Sequence, residues 1–275
     1  MKAIILFCAM VFLSASLTQA TVVTVGVGGW ATPLSQTFSM KPAGAPSENI
    51  AATGFRINLP GNIETIALCI ELGQFITPGS GTGLNNTSFE NASSLSSAAR
   101  GSATGPGGTG DGANITSGAA GGIGALRAAQ VRYLFDNFWQ GGTPASWTNP
   151  TVNVPAFQLA LWELTQDFNF SLVNQNAYAT ELYVNNPGSL TGDALLAYNA
   201  ATTMVAAVNT ANVQSSYAST TWQVVLLENS SFVSSPANGV VQDLVYATAI
   251  PEATTAALAL AGLAVLAARR RRRQA

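Results

Sequence analysis

The chain has 275 residues, of which 48% are apolar and only 9% charged, with a formal net charge of −2, no histidine and two cysteines. That census excludes Ser-His-Asp and Cys-His catalysis and every His-ligated metal site. It also excludes a Gly-Lys-Ser/Thr phosphate loop, because Lys2 and Lys41 are followed by Ala and Pro. Five of the basic residues, Arg269, Arg270, Arg271, Arg272 and Arg273, sit together at one end. Residues 21–250 hold 5 basic and 12 acidic side chains, so the body is acidic and has no basic patch to meet nucleic acid. No cofactor and no metal are expected.

Lys2, the apolar run Ile4 to Leu13 and the small residues ending at Ala20 form a charged n-region, an h-region and a cleavage site. Residues 1–20 therefore read as an export signal. Its removal takes Cys8 and leaves Cys69 as the cysteine of the body. Val22, Val23, Val25 and Val27 are β-branched, Phe55 to Leu59 alternates up to Pro60-Gly61, and Ile66 to Leu72 reads as a buried strand, so strands are predicted at all three. Residues 77–122 turn polar, and nine of the 22 residues from Gly101 to Gly122 are glycine, which reads as a mobile surface insertion. Apolar residues spaced by three and four predict a helix over Ile123 to Trp139, with Gly141-Gly142 ending it. A second helix is expected from about Pro155, a residue suited to a first turn. Phe157, Leu161, Leu164 and Phe168 form its apolar stripe, and Gln158, Trp162 and Thr165 a neighbouring one. Gln158 sits at the edge of the apolar stripe, where a side chain is half buried. A third helix is expected from about Asp193 to Val208, and strands return at Trp222 to Leu227 and Val240 to Tyr246. Strands, then helices, then strands predict an α+β fold, a β-sandwich with a helical insertion, over residues 21–250.

The tail, residues 251–275, begins Pro251-Glu252-Ala253, continues as the apolar run Ala256 to Ala268 and ends in the five arginines. It resembles a PEP-CTERM sorting signal, with Ala253 in place of the family's second proline. The resemblance implies an exosortase-type processing enzyme as partner, with cleavage near Pro251-Glu252. It also implies membrane contact through the tail alone before processing. The destination would be the outer surface or matrix of a Gram-negative bacterium, after transient residence in the inner membrane.

A lone cysteine in an exported chain has no internal disulfide partner. It is either a small buried hydrophobe, one end of an intermolecular disulfide or a reactive thiol. Thiol-protease chemistry needs a histidine that is absent. One cysteine reaction needs neither histidine nor metal: the sulfur attacks a glutamine side-chain amide, expels ammonia and leaves a thioester.

The segment Phe157-Gln158-Leu159-Ala160-Leu161-Trp162 resembles the Gln-x-Ala-aliphatic-Trp signature of bacterial thioester domains. Leu68-Cys69-Ile70 resembles their cysteine strand, with aliphatic neighbours where the best-known members have an aromatic. Arg132 to Phe138 resembles the helix before their glutamine. The resemblance implies Cys69 and Gln158 as the bonded pair, with Trp162 shielding the bond. It implies a single-turnover acyl donor rather than an enzyme, attaching once to an amine- or hydroxyl-bearing surface target. Without it, Gln158 is a helix-surface amide and Trp162 a core aromatic. The rival function is a non-covalent structural component of an extracellular polysaccharide matrix, with a buried reduced cysteine. A hydrolase using Glu71, Glu163 or Asp167 is a third reading, though no spacing selects a carboxylate pair. The one lysine of the body, Lys41, fits a chain that stores an acylating group, since lysines would consume it.

Overall fold

The structure is a computed structural model that describes residues 22–29, 34–41, 48–70, 85–91, 123–166, 171–172, 182–228 and 244–250. Its strands are β1 (Val22–Gly28), β2 (Ser35–Lys41), β3 (Glu48–Leu59), β4 (Ile63–Cys69), β5 (Asn85–Asn91), β6 (Tyr183–Val184), β7 (Trp222–Glu228) and β8 (Leu244–Ala249). Its helices are α1 (Gly124–Phe138), α2 (Pro150–Gln166) and α3 (Gly192–Thr210). The expected α+β class with helices inserted between strands is what the structure has. The sheet differs from a sandwich of two separate layers. Strands β1, β5, β7, β8, β4 and β3 follow one another antiparallel, and β3 pairs again with β1, so the sheet curls back on itself.

The long strand β3 makes this possible by pairing along both edges, with β4 on one and with β1 and β2 on the other. Its first half, Glu48 to Thr53, pairs with β2, and its second half, Gly54 to Leu59, pairs with β4. β2 in turn carries β6, so these two strands extend outward from the ring. In β4 every residue from Thr65 to Cys69 is buried. Side chains alternate between faces along a strand, so consecutive burial means that both faces of β4 are covered.

Helix α2 packs on β2, β3 and β4 and is flanked by α1 and α3. It starts at Pro150 and not near Pro155: Pro150 fills the first-turn position, and Pro155 lies inside the helix. An internal proline removes the N–H owed to the carbonyl four residues back. That carbonyl belongs to Thr151, and Nε2 of Gln36 on β2 donates to it at 3.2 Å instead. The helix is also buried all round, from Val154 through Thr165, so it lacks the exposed face that a single apolar stripe implies.

Helices α1 and α3 lie close to their predicted ranges, although Leu126 and Leu196 are exposed. β5 falls inside the stretch read as a polar insertion. Its polar residues still form a strand, because backbone pairing with β1 and β7 does not depend on side-chain polarity. The rest of that stretch lies outside the described residues, as do residues 1–21, 71–72 and the tail from Pro251 onward.

Candidate functional site

Cys69 is the last residue of β4, and it is buried and forms no disulfide. On one side it pairs with Leu244 of β8. On the other side the pairing with β3 ends one residue earlier, at Leu68 opposite Gly54. The residue that would face Cys69 is Thr53, and Thr53 pairs with Ser35 of β2. β2 lies along the opposite edge of β3 from β4, so the β3–β4 ladder itself ends at Leu68, one residue short of Cys69.

Gln158 occupies the gap. Its Oε1 accepts the Cys69 main-chain N–H at 2.8 Å, and its Nε2 donates to the Cys69 main-chain carbonyl at 2.7 Å. Gln158 is 0% exposed, so both bonds are shielded from water. The polarity of the Cys69 backbone also fixes which way the amide points, since a flipped amide would set donor against donor and oxygen against oxygen.

Three features hold α2 at this depth. First, Val154, one turn before Gln158, lies over Gly54, where a side chain would place Cβ 2.7 Å from Val154 Cγ1. Only glycine lets the helix come so near the sheet. Second, Thr165 Oγ1, two turns after Gln158, lies 3.1 Å from the Ile70 carbonyl and 3.0 Å from the Leu161 carbonyl, which share its one hydroxyl proton. Third, Phe157 is locked edge-on against Phe135, Trp139 and Trp147, at ring-centroid distances of 4.9, 5.3 and 5.9 Å, which fixes the rotation of the helix.

The stripe Gln158, Trp162, Thr165 is thus the one that runs along the end of β4. The expectation that Gln158 is half buried at a stripe edge gives way to full burial, because neighbouring elements cover α2 on every side. Trp162 is buried one turn beyond Gln158, and its indole N–H has no hydrogen-bond partner among the described residues. Glu163 is 0% exposed and its Oε1 accepts the N–H of Ser171 at 2.7 Å. Glu71 and Asp167 lie outside the described residues. No group of three His, Cys, Asp or Glu that could hold a metal occurs among the described residues. Gly54, Val154 and Gln36 complete the support of the site and were not singled out from sequence.

Chemically, the site presents a carboxamide with its oxygen already on a main-chain donor and its nitrogen already on a main-chain acceptor. The Cys69 sulfur hangs from the same residue that makes both contacts. Rotation about its Cα–Cβ bond moves the sulfur without disturbing either hydrogen bond.

No protein-family model and no curated protein matches the chain. Among solved structures, the chain is similar to the N-terminal thioester domain of fibronectin-binding protein SfbI from Streptococcus pyogenes. The identity is 12% and the TM-score 0.41, over 84% of this chain and 94% of that one. It is also similar to the N-terminal domain of the Streptococcus pyogenes pilus tip adhesin Cpa. There the identity is 14% and the TM-score 0.44, over 86% of this chain and 97% of that one.

These findings correct the reading of the tail. The similar structures are a fibronectin-binding protein and a pilus tip adhesin of Streptococcus pyogenes, and neither is described as part of a PEP-CTERM or exosortase system. The PEP-CTERM recognition is withdrawn, and with it the exosortase-type partner and the Gram-negative route through the inner membrane to the outer surface. The membrane contact through the tail is withdrawn as well. No helix among the described residues is long and apolar enough to cross a membrane. The thirteen residues Ala256 to Ala268 would reach about 20 Å as a helix, against about 30 Å of hydrocarbon. Pro251, Glu252 and the arginines Arg269 to Arg273 lie outside the described residues.

Proposed function

We propose that this chain is an exported surface protein that stores an internal thioester between Cys69 and Gln158 and uses it once for covalent attachment to an amine or hydroxyl. The observation that carries this reading is the reciprocal, fully buried contact between the Gln158 carboxamide and the Cys69 main chain. Bond formation joins the Cys69 sulfur to Cδ of Gln158 and releases the amide nitrogen as ammonia, with the thiol proton leaving on it. As the sulfur attacks, negative charge develops on Oε1, where the Cys69 N–H already donates. A donor fixed in advance at the developing charge is the usual way a dry site lowers such a barrier. The fixed orientation of the amide supplies the alignment that a poor acyl donor needs. An acceptor then takes the acyl group, and Cys69 is returned as the thiol. Because the Gln158 amide nitrogen is consumed, the site acts as a single-use acyl donor. In this reading Trp162 shields the bond from water.

The same contact favours one alternative. A buried glutamine can simply complete the open edge of β4, with Cys69 as a small buried hydrophobe in a structural matrix protein. Intact mass separates the two. The thioester form is lighter than the calculated mature chain by one ammonia, and both Cys69→Ala and Gln158→Ala abolish the difference. A wild-type chain of full calculated mass, with a thiol that titrates in the folded state, refutes the thioester.

A further inference from the structure

The way Gln158 grips Cys69 also restricts what can replace its nitrogen. Oε1 and Nε2 both face Cys69, so the hydrogen that Nε2 donates is the one on the same side of the C–N bond as Oε1. In an ordinary trans secondary amide that side is taken by the nitrogen's carbon substituent, and the hydrogen lies on the other side. An acceptor amine joined to Gln158 would therefore aim its carbon at the Cys69 carbonyl oxygen, which lies only 2.7 Å from the nitrogen. With an N–C bond of about 1.45 Å, no carbon fits in that gap. The cis amide would fit, but it is disfavoured roughly 100-fold for a simple secondary amide. An ester, the product of a hydroxyl acceptor, has no hydrogen to donate at all.

Resting on the thioester reading, we infer that the Cys69 main chain discriminates among acceptors by the product it can hold: ammonia restores the clasp, and any carbon-bearing amine or hydroxyl opens it. Opening has a consequence for the captured bond. Thioester formation from an amide needs the amide aligned on Cys69, and the substituted product has lost that alignment. The thiol is then poorly placed to attack the new amide and expel the acceptor, so capture is favoured in one direction. With ammonia the product is the original carboxamide, and the cycle can repeat. Both products balance in the same way: the amine nitrogen bonds to Cδ of Gln158, the C–S bond breaks, and one N–H proton goes to the sulfur.

The test uses the folded thioester form treated separately with ammonium chloride and with methylamine, each then removed. Intact mass follows re-formation of the thioester, and hydrogen exchange follows the Cys69 amide. The expected result is that the ammonia-treated chain loses ammonia again and protects the Cys69 amide. The methylamine adduct re-forms thioester about 100-fold more slowly and exchanges that amide correspondingly faster. Equal re-formation rates, or equal protection of Cys69 in the two products, would overturn the inference while leaving the thioester in place. A chain of full mass that takes up neither amine overturns the thioester reading and the inference together.

Discussion

Gly54→Ala tests the idea that the site depends on the depth of α2 and not only on its two bonded residues. The added Cβ would lie 2.7 Å from Val154 Cγ1, 3.0 Å from Ile66 Cγ2 and 3.6 Å from Leu34 Cδ1. Carbon atoms prefer about 3.5–4.0 Å, so the first contact is short by roughly 1 Å. Val154 cannot swing aside, because a β-branched side chain on a helix keeps one dominant rotamer. The helix must lift, and Gln158, one turn along, lifts with it. Over-packing of this kind costs about 1–3 kcal/mol, which in a chain of this size lowers Tm by roughly 2–12 °C. A lift of that size also stretches the contacts of 2.8 and 2.7 Å beyond hydrogen-bond range. Thermal unfolding by circular dichroism reads the first effect, and the fraction of chain lacking one ammonia reads the second. Val154→Ala in the same chain removes the clashing methyl, so the double variant should be more stable than the two single losses added together. A Gly54→Ala chain with unchanged Tm and the full mass difference would refute the claim that close approach at Gly54 sets the site.

Two further outcomes follow from contacts around α2 and α1. Gln36→Ala leaves the Thr151 carbonyl without its substitute donor and should cost about 1 kcal/mol. The same substitution in a Pro155→Ala chain should cost almost nothing, because the helix then supplies its own N–H; equal losses in denaturant titrations of the two backgrounds would contradict this. Burial, and then its hydrogen bond to Asp136, push the Tyr217 hydroxyl up to about 12 from 10.0. A raised value means that the folded state holds the proton more tightly. The stabilisation is therefore complete below pH 10 and is lost as pH rises toward 12. Tyr217→Phe should flatten the fall of stability across that window, and an unchanged alkaline slope would show that the contact does not matter.

The helices were legible in the sequence because their signals are local. Gly141-Gly142 closes the α1 region, and spacings of three and four mark α1. The start of α2 was misplaced for a reason that is not local. Pro155 is tolerated inside the helix because Gln36, 115 residues away, supplies the missing donor, and no window around Pro155 contains that information. β5 was missed because Asn85 to Asn91 has no apolar alternation, and its place is set by main-chain pairing with β1 and β7. The closure of β3 onto β1 likewise follows from register between distant strands, so a sandwich was the natural reading of the same elements. Cys69 and Gln158 could be paired in the sequence through residue type and the glutamine signature. Gly54 could not be singled out, since a glycine required for close approach looks the same on paper as one required for a turn.

The absence of histidine and the shortage of charge at first remove the means of catalysis, yet they agree with how this site is built. A charged or titrating group buried beside Gln158 would need its own partners at substantial cost. The polarising groups here are the N–H and carbonyl of Cys69, which the fold must place in any case. They are available because the β3–β4 ladder ends at Leu68 opposite Gly54, one residue before Cys69. Main-chain groups in a dry interior have to be satisfied, and here α2 contributes a side-chain amide where a strand would otherwise pair. A strand would have presented a secondary amide with no group that can leave. A glutamine presents a primary carboxamide, whose nitrogen can depart as ammonia. On the proposed reading, the break in strand pairing is thus what converts a structural requirement into a place where acyl chemistry can occur.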